Sequence, residues 1–189
     1  MTAVIAQFAR RVLLASAVAL GLGIAGPAAA KEPEVRITPE SELRFGTFMV
    51  FGTGSRTVTA LGNVTDVSLV ALEGNPVGPA RFTISYDRGN ESKHVLDIEL
   101  ELVISQPPRV RQGGVDAQLA ALESDLPGSQ RVSPGRPVRV FLANCRERVC
   151  SLSFSVGGRL EVSRQFGGAS LSIPIPVDVT VISANAQRR

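Results

Sequence analysis

Apolar and polar side chains alternate one for one through much of this chain, and that period of two points to half-buried β-strands. Phe82, Ile84 and Tyr86 alternate with Arg81, Thr83 and Ser85. Leu96, Ile98, Leu100, Leu102 and Ile104 alternate with Asp97, Glu99, Glu101 and a single apolar exception, Val103. Val138, Val140 and Leu142 form another set, and Leu152, Phe154 and Val156 are spaced by serines. The final run takes Leu171, Ile173, Ile175, Val177, Val179 and Val181 in the same phase. A helix would need apolar residues at i, i+3 and i+4, which these runs lack. Turn residues punctuate them at Gly74-Asn75-Pro76, Gly78-Pro79, Gly128-Ser129 and Pro134-Gly135. Many short strands with such turns predict an all-β domain, an antiparallel two-sheet β-sandwich.

The first thirty residues read differently, as a cleaved signal peptide over 1–30. Arg10 and Arg11 give a positive start, Val12 to Ile24 is an uncharged apolar run, and Ala28-Ala29-Ala30 offers a small-residue cleavage site. That run falls short of the ~20 residues a membrane-spanning helix needs, so no transmembrane anchor is expected after cleavage. The arginine pair also suits a twin-arginine route, although its flanks fit the general secretory route better. Export to the periplasm, outer surface or medium of a bacterium follows. The mature chain would begin at Lys31. The formal charge is +3, and losing Arg10 and Arg11 leaves +1. With eight Phe, one Tyr, no Trp and no basic stripe, nucleic-acid binding is excluded.

Residues 31–42, with Pro33 and Pro39 around the single apolar pair Val35 and Ile37, read as a flexible N-terminal arm. The sandwich is placed at 43–184 and a polar tail at 185–189. A long insertion spans 106–136, rich in Pro and Gly at both ends, with Ala/Leu-rich Val115 to Leu122 suited to a short helix. Pro174 and Pro176 lie on one face of the closing strand and mark it as an edge or interrupted strand. Leu96, Ile98, Leu100, Phe154, Leu160, Ile173 and Val177 are the expected core.

Catalytic chemistry finds little to stand on. The only imidazole is His94, flanked by Lys93 and Val95, and a surface role is the simplest one for it. Gly52-Thr53-Gly54 lacks the Lys-Ser/Thr and helix of a phosphate cradle. Asn63-Val64-Thr65 and Asn90-Glu91-Ser92 match a glycosylation acceptor pattern by chance. Asp97, Glu99 and Glu101 share one strand face, which offers either a weak cation or partner face or a solvated outer face. Cys145 and Cys150 bracket a tight hairpin, and in an oxidising compartment they predict a disulfide. A metal site would need further Cys or His ligands; no cofactor or metal is expected.

Four stretches resemble a family of secreted bacterial domains of unknown function, family 4402 of that series. They are Leu43-Arg44-Phe45-Gly46-Thr47, Gly54-Ser55-Arg56-Thr57-Val58-Thr59, Gly78-Pro79-Ala80-Arg81-Phe82-Thr83-Ile84 and Val156-Gly157-Gly158-Arg159-Leu160-Glu161-Val162. The likeness spans Leu43 to Ile182. The family's aromatic-Gly pair near the closing strand is replaced by Gly168-Ala169-Ser170-Leu171, and the cysteine hairpin is not a family feature. The resemblance implies a pilin-like or spore-coat-like sandwich and a role in surface structure, and the fold expected is an immunoglobulin-like or pilin-like sandwich. The expectation is a non-enzymatic exported structural or cell-surface protein, pilin-like or adhesive, with a protein partner or self-assembly. The alternative is a binding module for a sugar or peptide ligand.

Overall fold

The structure is a computed structural model, and it describes residues 31–89, 94–164 and 168–187. The signal peptide read in residues 1–30, the triplet Asn90-Glu91-Ser92 and the terminal Arg188-Arg189 lie outside the described residues.

All regular elements among the described residues are strands. They run β1 (Glu34–Ser41), β2 (Leu43–Val58), β3 (Val64–Gly78), β4 (Ala80–Asp87), β5 (Leu96–Ile104), β6 (Val110–Gln112), β7 (Val115–Ser124), β8 (Arg131–Val132), β9 (Pro137–Cys145), β10 (Val149–Arg164), β11 (Gly168–Ile173) and β12 (Val177–Ala186). The larger sheet has the order β1-β4-β10-β2-β11, with β3 beside β2, β7 beside β10, and β6 and β8 against β7. The smaller sheet has the order β12-β5-β9. Every pairing is antiparallel.

The alternation in the sequence becomes the two faces of these sheets. Leu96, Ile98, Leu100, Leu102 and Ile104 of β5 are buried, and they join Phe45, Phe82, Phe154, Leu160 and Ile173 in one apolar core. Phe82 and Phe154 stack across β4 and β10 with ring centroids 5.3 Å apart. The expected core is met except at Val177, which is only half-buried. The chain is therefore a two-sheet antiparallel β-sandwich.

The long β10 holds the larger sheet together. Val149 to Val156 pair with β4, and Gly158 to Ser163 with β2. The opposite edge of β10 pairs with β7 from Val156 to Arg164. Gly157 sits where the neighbour changes. A Cβ there would stand 2.4 Å from both the Ala60 nitrogen and the Val58 oxygen, so only glycine lets the backbones approach this closely.

Several expectations are corrected. The segment 31–42 is not a flexible arm: Glu34–Ser41 forms β1 on the edge of β4, with Val35 opposite Tyr86 and Ile37 opposite Ile84. The segment 106–136 is part of the sheet, since β7 pairs with β10 and carries β6 and β8. No helix forms at Val115 to Leu122. Val115, Ala117 and Leu119 are buried on alternation, then a register shift opposite Arg159/Leu160 brings in Leu122 three residues later. That bulge imitates a helical spacing. The tail expected from 185 is partly strand, because β12 continues to Ala186. The closing run is two strands. Pro174 and Pro176 cannot donate to a ladder, and between them the chain crosses from β11 in one sheet to β12 in the other.

Candidate functional site

Asp97, Glu99 and Glu101 do share the outer face of β5, as the alternation requires. Successive members of this row are about 7 Å apart along a strand, too far for a compact shell, and each of the first two is engaged with a donor. Asp97 Oδ1 accepts from the Asn144 N–H and from Gln187 Nε2, both at 2.9 Å. The Asn144 N–H, and then the Gln187 amide, hold the Asp97 carboxyl below its usual range. Glu99 Oε1 accepts from Arg139 Nη1 at 2.7 Å. Glu101 lies opposite Arg139 and Thr180 in the ladder. Among the described residues no group of three or more His, Cys, Asp or Glu is arranged to hold a metal ion. Asp97 and Glu99 are thus occupied by donors of the protein itself. What remains is a polar surface carrying one exposed ring, Phe141, opposite Glu99.

Cys145 and Cys150 form the expected disulfide, with Cα atoms 5.9 Å apart. Composition gave no sign of what holds the hairpin in place. The Arg88 side chain is buried beneath it. Its Nη1 donates to the carbonyls of Arg146 at 3.0 Å and Cys145 at 3.3 Å, and its Nη2 to that of His94. The Arg88 backbone N–H donates to the Arg148 oxygen. One guanidinium thus ties the end of β4, the segment entering β5 and the disulfide hairpin. His94 is itself exposed and contributes its carbonyl oxygen to this arrangement.

The feature whose exposure sequence reasoning missed is the β2–β3 ribbon. β3 is 15 residues long, and its side chains are exposed along most of its length. Among the described residues it pairs only with β2. Arg56 fastens it there: Nε and Nη2 reach Asp66 Oδ1 and Oδ2 at 2.6 and 2.8 Å, and Nη1 donates to the Phe45 oxygen at 2.6 Å. The guanidinium also lies 5.4 Å from the Phe48 ring centroid. Leu69 and Ala71 take the phase of the buried Phe48 and Val50, so Val70 and Leu72 take the outward phase beside Met49 and Thr47. Val70 is 49% exposed, Leu72 40% and Val67 56%. Phe51, on β2 at the same end as Val67, is 72% exposed under the Arg164 guanidinium. The only sequence signal for this ribbon is that Val67 to Leu72 is apolar on both phases, which reads as a strand covered on both sides.

Two outer-face concavities accompany these features. A groove of about 530 Å³ is lined by Thr53, Ser55, Arg109, Asp116, Gln118 and Glu161, among others. A second, of about 520 Å³, lies along β7 and β8.

Among the described residues, no helix is long and apolar enough to cross a membrane. Compared with curated proteins and with solved structures, the chain matches none. The model of one family, described as "Domain of unknown function (DUF4402)", matches residues 35–182, from β1 to within β12. That stretch takes in both sheets and most of the sequence, and the chain belongs to this family.

Proposed function

We propose that this chain is a non-enzymatic exported protein with a structural or cell-surface role, pilin-like or adhesive, that acts through contact with another protein in the periplasm or at the outer surface. The observation that carries this reading is the exposed apolar row Val67, Val70 and Leu72 on β3, with Phe51 at its end. Monomeric soluble proteins seldom leave such a row uncovered, and rows of this kind mark contact surfaces. On the opposite sheet Asp97 and Glu99 are already engaged by the protein's own donors, whereas the apolar row on β3 has no cover among the described residues.

The test is fractionation of the native host with cross-linking in the intact envelope. The chain should be recovered outside the cytoplasm, beginning at Lys31, and in cross-linked species with envelope proteins or with itself. Recovery in the cytoplasm, or as a species that never cross-links, would reject the proposal. A second reading, a sugar- or peptide-binding module, draws support from the polar groove between Ser55 and Gln118. It predicts a ligand-dependent rise in melting temperature that is lost on changing Gln118 and Glu161 together to Ala.

A further inference from the structure

We infer that the partner of the β3 edge is a second copy of this chain, docked antiparallel about Ala71 so that the larger sheet continues across a two-fold axis. This rests on the contact reading above and names its occupant. The other edges carry protection against pairing of this kind. β1 has Pro39 with Glu34, Arg36 and Glu40; β12 follows Pro176 and carries Asp178; β9 opens on Pro137 and carries Arg139. β11 is short, and β6 and β8 are shorter still. From Val67 to Leu72, β3 has no charge and no proline, and the whole strand has no Lys or Arg. Its side away from β2 has no strand neighbour among the described residues.

The register follows from the ribbon. Its ladder is irregular on both sides of Leu69–Leu72, where shifts occur at Val50/Ser55 and Phe45/Thr47 of β2. The regular window accommodates a short antiparallel match. Centred on Ala71, it sets Val70 against Leu72 of the second copy, and Leu72 against its Val70. Both pairs are in the outward phase. Asp66 then falls opposite Pro76, and Glu73 opposite Leu69, so no like charges meet. The charges complement each other as well. Arg164 Nη1 donates to the Val50 oxygen, and Val50 lies opposite Leu69. Among the described residues Arg164 has no carboxylate partner, and neither has Glu73 any cation. The two-fold brings each Arg164 to the end of the ribbon where the other copy carries Glu73. The interface is isologous and closes after two copies, and the shortness of the window makes the dimer a weak one.

Sedimentation of the exported chain across the micromolar range tests this, with melting curves confirming that each variant is folded. The expected result is a concentration-dependent dimer. Val70→Lys and Leu72→Lys should each weaken it by about tenfold or more, since each sets a charge against an apolar side chain of the second copy and two like charges diagonally across the axis. Glu73→Arg and Arg164→Glu should each weaken it about fivefold, and the double swap should restore it. A chain that stays monomeric throughout, a dimer indifferent to Val70→Lys and Leu72→Lys, or a double swap no better than the singles would each overturn the inference. A monomer that still cross-links to envelope proteins would overturn self-pairing alone, whereas a chain without any cross-link would overturn the contact reading beneath it.

Discussion

Arg56 on β2 and Asp66 on β3 form a two-pronged ion pair, 2.6 and 2.8 Å, with the arginine side chain sealed from solvent and the aspartate a quarter exposed. Removing one partner of such a pair strands the other charge in the interior. Asp66→Ala should cost about 3 kcal/mol, while Arg56→Met combined with Asp66→Ala should recover a large part of it. Urea unfolding of the two variants decides the matter. A single-variant loss under about 0.5 kcal/mol, the scale of a surface pair, would mean that water reaches Arg56.

Gly157 marks the place where β10 leaves β4 for β2. A methyl group at 2.4 Å from two backbone atoms cannot be accommodated by rotating a side chain. Gly157→Ala should therefore cost about 3 kcal/mol or more, in the range of overpacking. Gly128, with φ of 76° but open space where a Cβ would go, should cost only the ~1–2 kcal/mol of a left-handed backbone on the same change. Equal losses at the two positions would contradict the close approach.

The contrast between those glycines shows what the sequence could and could not reveal. The faces of β5 and β10 were legible because each has one buried side, and a slip of one residue would turn every apolar group to solvent. The disulfide was legible because two cysteines five positions apart allow few geometries. β7 was not, since a single bulge converts its period of two into a spacing of three at Leu119 and Leu122. Pro174 and Pro176 did mark the interruption of the closing run, but not that the chain crosses there from one sheet to the other. The exposure of β3 depends on which neighbours it lacks, and periodicity carries no record of an absent neighbour. Arg56 and Arg88 are buried charges whose partners lie on other strands or in backbone carbonyls, so spacing along the chain could not reveal them.

β1 illustrates how little apolar surface an edge strand needs. Only Val35 and Ile37 face the core, and both are half-buried, but the strand is paired along most of β4 and also touches β12 of the smaller sheet. Deleting residues 31–41 would bare both. The expected loss is about 2–3 kcal/mol for the two side chains, seen as a lower midpoint in urea. An unchanged midpoint would show that β1 contributes nothing to stability and return the segment to a free arm.

Reduction separates two contributions at the hairpin. Opening the short Cys145–Cys150 ring should lower stability by about 2 kcal/mol through chain entropy. Arg88→Ala should cost more than that, because it leaves the Cys145, Arg146 and His94 carbonyls without their donor at once. Unfolding of the chain and of the variant, each with and without reductant, measures both. An Arg88→Ala loss smaller than that of reduction would place the hairpin's support elsewhere.

Asp87, at the end of β4, is the meeting point of the N-terminal segment, the following turn and the hairpin. Its carboxylate takes the Lys31 ammonium, the Gly89 N–H at 2.9 Å and, at 3.5 Å, the Arg148 guanidinium. The Lys31 hydrogen bond, then the Gly89 N–H, lower its pKa from 3.8 to about 2. In the unfolded chain the carboxyl regains its ordinary value, so the folded form is the one that resists protonation. The stabilisation is therefore complete above about pH 4 and lost as the pH falls towards 2. Asp87→Asn keeps an oxygen for the Gly89 N–H and removes the charge. The melting temperature of the unaltered chain should exceed that of the variant by a constant amount from pH 7 to 5. Below pH 4 the gap should close, while the other carboxylates, common to both proteins, cancel from the difference. A gap that stays constant down to pH 2 would show that ionisation of Asp87 is not linked to folding.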